Sequence, residues 1–214
     1  MMRRTTTVVA VVLGILLAAT VTSVQGKGSR PVPGPATTST KLPSFDLGIS
    51  DSEMVSGAAA PLAVSRSHEV GVRYARVNIN WARVAPRGET MPTGFDPRNP
   101  ADPRYDWRGV DASVKSLTAA GFTVYLCLLS APSWAEGGIA PDDSGATPGS
   151  WRPSAAAFGD FAHAAAARYN GTFAAPLTGA LLPRVSIWQA WNEPNLPMFF
   201  APTSADRYRS LLNA

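Results

Sequence analysis

From residue 44 onward, the hydrophobic and polar positions follow two patterns in turn, one typical of strands and one typical of helices. Four short segments predict strands: FDLGIS (45–50), VRYARVNINW (72–81), FTVYLCLLS (122–130) and VSIWQAW (185–191). The second segment alternates, with Arg76, Asn78 and Asn80 on one side and Val77 and Ile79 on the other. The third is apolar throughout, as expected of a strand that is buried on both faces of a parallel sheet.

Each predicted strand is followed by a segment with helical features. These segments cover residues 58–71, 111–121, 153–170 and 204–214. Gly71 and Gly121 end the first two helices, and Asp111 and Ser204 are the expected N-caps of the second and the fourth. The chain is therefore interpreted as four βα units, an order that indicates a parallel sheet with helices packed outside it.

The lengths of the loops distinguish between two α/β folds. No GxGxxG turn follows the first strand, although a dinucleotide-binding fold requires one. The loops at 85–108 and 131–151 are long, whereas the returns at Gly71 and Gly121 are short. This combination is typical of a TIM barrel, in which the loops after the strands build the active face. A complete barrel has eight units, so we predict a partial (β/α)8 barrel with its first four units here. Either the sequence is truncated or a partner supplies the remainder.

The N-terminal region has the features of an export signal. Arg3 and Arg4 precede an apolar run over residues 8–19, which is short for a membrane span and is followed by small residues. We predict a cleaved signal peptide over residues 1–26, and therefore a secreted or cell-surface protein; an uncleaved membrane anchor is the alternative. Pro, Gly, Ser and Thr dominate residues 27–43, which predicts a linker before the barrel domain at 44–214. Contact with a membrane is expected only through the N-terminal segment.

Charge and cysteine content exclude several classes of function. The net charge is +4, but residues 1–43 hold five basic residues and no acid, so the remainder carries −1. That balance argues against a nucleic-acid surface on the domain. A single cysteine, Cys127, excludes an intrachain disulfide and a cysteine-rich metal site, and we interpret it as a small buried hydrophobic residue. Neither a metal nor a cofactor is expected.

Polar and aromatic residues stand at or near the carboxyl ends of three predicted strands. They are Arg76, Asn78 and Trp81 of the second, Trp134 after the third, and Trp191, Asn192 and Glu193 at the end of the fourth. Indole rings stack on the apolar faces of sugars, while amides and guanidinium groups bind hydroxyls. A carboxyl group buried among indoles is favoured in its protonated form, as a general acid requires. The constellation therefore indicates a carbohydrate site.

Each of these residues also has a structural interpretation. A tryptophan near a strand end is, taken singly, more often a core residue than a sugar platform. Arg76 is equally suited to pair with an acid, and Asn78 and Asn80 are suited to hold loop backbone. These alternatives stay open from the sequence.

The motif WNEPN (191–195) resembles the acid/base motif of the clan A glycoside hydrolases, a group that includes the family 5 cellulases and the family 39 xylosidase-like enzymes. Three further segments resemble that group, and the likeness covers roughly residues 45–214 in order. They are VRYARVNINWARVAP (72–86), similar to the second strand, YDWRGVD (105–111), similar to the approach to the second helix, and APSWA (131–135), similar to the end of the third strand.

The resemblance implies hydrolysis of O-glycosyl bonds with retention of configuration, on an oligosaccharide, a polysaccharide or a glycoside. Glu193 takes the role of general acid/base, Asn192 contacts the sugar 2-hydroxyl and Arg76 lines the pocket. A retaining mechanism needs a second carboxylate as nucleophile, which the family places at the end of the seventh strand. No acid of this chain is a credible substitute, so we expect a fragment that is inactive alone.

Two other hypotheses stand beside a glycosidase. One is a non-catalytic carbohydrate-binding half barrel, or one part of a split enzyme. The other is an unrelated α/β hydrolase, which is disfavoured because the sequence has no GxSxG motif.

Overall fold

The computed structural model describes residues 45–50, 58–176 and 178–214. The predicted signal peptide and linker lie outside the described residues and stay predictions. Within the described ranges, no helix combines the length and the apolar character that crossing a membrane requires.

Four parallel strands form one sheet. They are β1 (Leu47–Ile49), β2 (Val72–Asn80), β3 (Thr123–Leu129) and β4 (Ile187–Ala190). Their order in the sheet, β1-β2-β3-β4, is the order along the chain. A doubly wound sheet reverses its strand order at a switch point, and none occurs here. The predicted α/β fold with four parallel strands is confirmed, and the described strands are consistent with one part of a barrel wall.

Besides two short 3-10 turns at Ser133–Ala135 and Asp142–Ser144, five α-helices accompany the sheet among the described residues. They are α1 (Ala60–Glu69), α2 (Trp81–Val84), α3 (Arg108–Ala119), α4 (Ala155–Arg168) and α5 (Ala205–Leu212). Ser204 caps α5 as predicted, since its hydroxyl accepts from the Arg207 amide at 3.4 Å. The prediction of Asp111 as an N-cap is wrong. The helix α3 begins at Arg108, and Asp111 lies in its first turn, where it pairs with Arg168 of α4.

The single turn α2 was not predicted. The pattern of alternating residues runs on to Trp81, but the side-chain oxygen of Asn80 accepts from the Arg83 amide at 3.1 Å. This capping bond ends β2 at Asn80 and starts α2, as an asparagine at an N-cap does.

The two faces of the sheet differ in character. One face, here called the helix face, is buried and apolar, and the helix α3 contacts it at both β2 and β3. Its central residues are Ala75, Val77, Ile79, Val124, Leu126 and Leu128. The opposite face, here called the site face, carries one row in register: Asn78 beside Cys127, and Cys127 beside Gln189. Arg76 lies on the same face, two residues before Asn78.

Aromatic rings fill the core behind the carboxyl edge of the sheet. Trp81 stacks on Phe161 with ring centroids 5.2 Å apart, and Trp107 stacks on the same ring at 5.7 Å. Trp191 meets Phe158 and Phe200 edge to face, at 5.7 and 5.8 Å. Because these rings come from loops and helices of several βα units, they fix the strand ends relative to one another.

Candidate active site

The WNEPN segment turns sharply where β4 ends. The Trp191 amide donates to the Leu128 carbonyl at 2.8 Å, which extends the pairing with β3 by one residue. Trp191 then adopts φ +67° and Glu193 adopts φ +40°, in the left-handed region that side chains rarely occupy. These two residues break the alternation of the strand. Trp191 enters the core against Phe158, and Asn192 turns to Arg76 on the site face.

Arg76, Asn192 and Glu193 form a hydrogen-bonded chain. A terminal nitrogen of Arg76, Nη2, donates to Oδ1 of Asn192 at 2.7 Å. The amide nitrogen of Asn192, Nδ2, donates to Oε2 of Glu193 at 3.2 Å. Arg76 stands in β2, two strands away from β4, and 116 positions separate it from Asn192. The fold thus brings together three residues that the sequence pointed to separately, and a charge-assisted bond orients the amide beside the acid.

Glu193 is exposed, which differs from the expected burial among indoles. The reason is the left-handed turn, because it sends the Trp191 indole into the core while the acid stays at the open edge. The indole nitrogen of Trp191 donates to the Phe199 carbonyl at 2.6 Å, which fixes the ring on that side. The described residues therefore present the carboxylate to solvent at the edge where the site face opens.

Two of the three predicted tryptophans lie where no sugar can stack on them. Trp81 has 0% and Trp191 1% of its surface exposed, so neither ring has a face open to a ligand. The structure assigns both to the core. Trp134 is half-buried; its indole nitrogen donates to the Pro86 carbonyl at 2.8 Å, and its ring meets Trp81 and Phe95 edge to face. It ties the loop after β2 to the end of β3, and a substrate role for it stays a prediction.

Asn78 is exposed and lies near Arg76. Both residues line an open cavity of about 630 Å³, together with Asn80, Arg83 and other residues from the approach to α3 and from its first turns. A free amide beside a guanidinium is suited to bind hydroxyl groups. Glu193 does not line this cavity. A second cavity, of about 720 Å³, lies against α3 and holds none of the predicted site residues.

Sequence reasoning did not assign Gln189 and Cys127 to the site. The amide nitrogen of Gln189, Nε2, donates to the Trp191 carbonyl at 2.9 Å. The buried Cys127 accepts from Nη2 of Arg76 at 3.0 Å, and its thiol donates to the same Trp191 carbonyl at 3.4 Å. Burial raises the pKa of the Cys127 thiol, although the Arg76 charge opposes this, so the donor proton is kept. No periodicity marks Cys127, which lies in a run that is apolar throughout, and it is the register of the parallel strands that places both residues on the face of Arg76.

Glu136, another acid that was passed over, holds a loop together. Its Oε1 accepts from the Gly149 amide at 2.9 Å and from the Trp151 amide at 2.8 Å. Burial raises the pKa of the Glu136 carboxyl, and the two amide donors only partly oppose this. No acid among the described residues forms an ion pair with Arg76, so its charge is directed at the asparagine and the thiol.

Comparison with known proteins places the fold. No protein-family model and no curated protein sequence matches this chain. A monomeric β-xylosidase from Caulobacter crescentus CB15 has a similar structure, with a TM-score of 0.50 and 18% sequence identity over 79% of this chain and 34% of that chain. A β-galactosidase from the psychrophilic Marinomonas ef1 gives a TM-score of 0.38 and 17% identity over 68% of this chain and 21% of that chain.

The class that these observations define is an α/β protein with a glycoside-hydrolase-like fold. The chain spans about a third of the length of the β-xylosidase that it resembles. At 18% identity the likeness shows the fold alone, so function has to be argued from the side chains at the edge of the sheet.

Proposed function

We propose that this chain carries the acid/base half of the active site of a retaining glycosidase, which hydrolyses O-glycosyl bonds of a carbohydrate. One observation carries the proposal: the chain of hydrogen bonds from Arg76 through Asn192 to Glu193 at the carboxyl edge of a parallel sheet. Barrel enzymes of this class build their active sites at that edge.

The roles of the residues follow from their contacts. Glu193 is exposed, so it can meet a substrate, protonate the departing glycosidic oxygen and later take a proton from the attacking water. The amide group of Asn192 has two N–H donors. One of them contacts Glu193 at 3.2 Å, and the other is available for the sugar 2-hydroxyl. Arg76 fixes the amide through its oxygen, which leaves the nitrogen facing the substrate.

A second carboxylate is needed as nucleophile, roughly 5 Å from the first. Arg76 indicates where it fits, because the guanidinium forms no ion pair among the described residues and its buried Nε has no acceptor there. A buried donor without an acceptor is destabilising by about 1–3 kcal/mol. We place the nucleophile beside Arg76, at the position that the resemblance assigns to the end of the seventh strand of the barrel. A carboxylate there would satisfy both the charge and the donor.

Closure of the sheet into a barrel is part of the same proposal. The strands at the two edges of the described sheet expose apolar side chains: Leu47 of β1 is 46% exposed and Ile187 of β4 is 40% exposed. Parallel sheets normally have both faces covered, and open edges are usually protected. Further βα units that cover the site face would bury these residues and enclose Glu193 in a cleft.

The proposal is tested by incubating the chain, together with the segment that supplies the second carboxylate, with a panel of aryl glycosides and polysaccharides. The anomeric configuration of the first product is then read by proton NMR. Hydrolysis with retained configuration is the expected result. An inverted product would contradict the retaining mechanism, and saturable sugar binding without hydrolysis would favour the non-catalytic half barrel.

A further inference from the structure

We propose that Gln189 and Cys127 are positioning residues for Glu193, and that they act by holding the carbonyl of Trp191 in place. The inference rests on the proposed function for its kinetic consequence, but its geometric content is independent of it. Neither residue touches the acid. Both reach the backbone of the turn from which the acid projects.

The turn needs such support because of its backbone conformation. Trp191 and Glu193 both lie in the left-handed region, which is unfavourable for residues with a Cβ and persists only where surrounding contacts enforce it. Every polar group of Trp191 is engaged. Its amide donates to Leu128, its indole nitrogen donates to Phe199, and its carbonyl accepts from Gln189 and Cys127.

The carbonyl contacts are the ones that link the turn to the site. The Trp191 carbonyl belongs to the peptide group that carries the Asn192 nitrogen, so rotation of this peptide moves Asn192 away from Arg76. Cys127 couples the two ends of the network. Its thiol accepts a hydrogen bond from Arg76 at 3.0 Å and donates one to the Trp191 carbonyl at 3.4 Å. The guanidinium and the peptide are thereby held in one arrangement, with Asn192 between them.

Gln189 supplies the shorter of the two carbonyl contacts, at 2.9 Å. The acceptor is the carbonyl of Trp191, two residues further along the chain. Because the strand stops there, no neighbouring strand supplies a backbone N–H to this carbonyl. A methionine at this position would keep a similar length and volume but would lose the donor. Gln189→Met therefore removes the contact with little change in packing.

The geometric test compares crystal structures of the wild type, Gln189→Met and Cys127→Ser. In Gln189→Met we expect Trp191 to leave the left-handed region and the separation of Arg76 Nη2 from Asn192 Oδ1 to exceed its present 2.7 Å clearly. Cys127→Ser keeps both a donor and an acceptor, so the turn should stay as it is. An unchanged turn in Gln189→Met overturns the proposal.

A matched control lies one residue away. The indole nitrogen of Trp188 donates to the Val185 carbonyl at 3.2 Å, so Trp188→Phe removes a side-chain contact to backbone of the same kind without touching the turn. Should Gln189→Met fail to fold, Cys127→Ala removes the other contact to the Trp191 carbonyl by a change that only reduces volume. The same movement of Asn192 is expected in that variant.

The kinetic test uses the chain together with the segment that supplies the second carboxylate, and two glycosides, one with a phenol leaving group and one with 2,4-dinitrophenol. Cleavage of the glycosidic bond, the step that kcat/KM reports, is slowed by a displaced general acid only for the substrate whose leaving group needs a proton. We expect kcat/KM of Gln189→Met to fall about tenfold or more on the phenyl glycoside and to change little on the 2,4-dinitrophenyl glycoside. Trp188→Phe should change kcat/KM by the same factor on both glycosides.

The outcomes distinguish failure of the positioning role from failure of the proposed glycosidase function. An equal fall in kcat/KM of Gln189→Met on both glycosides, with wild-type activity present, overturns the positioning role. If the wild type hydrolyses neither glycoside while Asn192 moves in Gln189→Met, the positioning of the turn is supported and the proposed function fails.

Discussion

A buried ion pair behind the sheet gives a stability prediction whose size follows from the structure. The carboxylate of Asp111 accepts from Arg168 at 2.9 Å through Nε and at 2.6 Å through Nη2, and from the Tyr169 hydroxyl at 2.9 Å. Only 5% of the Arg168 side chain and 15% of the Asp111 side chain are exposed. The pair joins α3 to α4, the helices that flank β3 in the chain.

The informative change is Asp111→Asn, which keeps the shape of the side chain and removes its charge. Arg168 would stay buried without a counter-charge, and the loss of one partner of such a pair costs about 3–5 kcal/mol. Domains are typically stable by only about 5–15 kcal/mol, so this is a large fraction of the total. The Pro100 carbonyl, which accepts from Arg168 at 3.0 Å, would remain as a neutral partner and does not restore the charge balance.

The matched control is Asp106→Asn. Asp106 pairs with Arg108 through two bonds of 2.8 and 2.7 Å, so its geometry resembles that of the buried pair. The bond to Arg108 lowers the pKa of Asp106 to about 2, but the Arg108 side chain is 83% exposed, so water screens the interaction. We therefore expect almost no change in the free energy of unfolding for this variant.

The assay is urea unfolding followed by tryptophan fluorescence, with the wild type and both variants measured at one salt concentration. A loss below about 1 kcal/mol for Asp111→Asn would refute the reasoning, since it would mean that Arg168 is not effectively desolvated. A loss equal to that of Asp106→Asn would refute it equally.

Two further predictions concern stability. Burial, reinforced by nearby carboxylates, raises the pKa values of Tyr105 and Tyr169, so the folded state keeps protons that the unfolded chain releases above about pH 10; stability should fall as the pH rises beyond that value. Above about pH 10, the free energy of unfolding should fall less steeply with pH in Tyr105→Phe and in Tyr169→Phe than in the wild type. An unchanged slope of this free energy against pH would contradict the prediction. Gly149→Ala, at φ +89°, would place a Cβ 2.9 Å from the Ala131 carbonyl oxygen, so it should lower the free energy of unfolding by about 3 kcal/mol. Gly138 has a similar φ of +87° but lies in open space, so Gly138→Ala should lower it by about 1 kcal/mol. Equal losses in urea unfolding would contradict the packing argument.

The framework of the site could be predicted from the sequence because it depends on periodicity. The alternation in residues 72–81 placed Arg76 and Asn78 on one face, and the parallel order brought the end of β2 to the edge where Glu193 stands. Four of the helices were predicted from glycine stops, caps and composition. These signals are local, and the tertiary structure preserved them.

The errors have a common physical cause, which is that tertiary contacts override local rules. Asp111 has the composition of an N-cap, but its partner Arg168 lies 57 residues away, and α3 begins at Arg108. Trp191 was expected at the site because it ends a predicted strand, but its left-handed conformation turns the ring into the core, and no periodic pattern in the sequence shows that conformation. Gln189 and Cys127 act through contacts between strands and through a backbone carbonyl, which no spacing in the sequence shows.

The central claim is that Glu193 transfers the proton in glycoside hydrolysis, and Glu193→Gln tests it most directly. The comparison variant is Glu89→Gln, the same change at an acid of the loop after β2. In the complete protein, which includes the segment with the second carboxylate, and on a glycoside with an unactivated leaving group, we predict that Glu193→Gln lowers kcat at least about 10²-fold and that Glu89→Gln does not. Hydrolysis by Glu193→Gln at the wild-type rate would contradict the account.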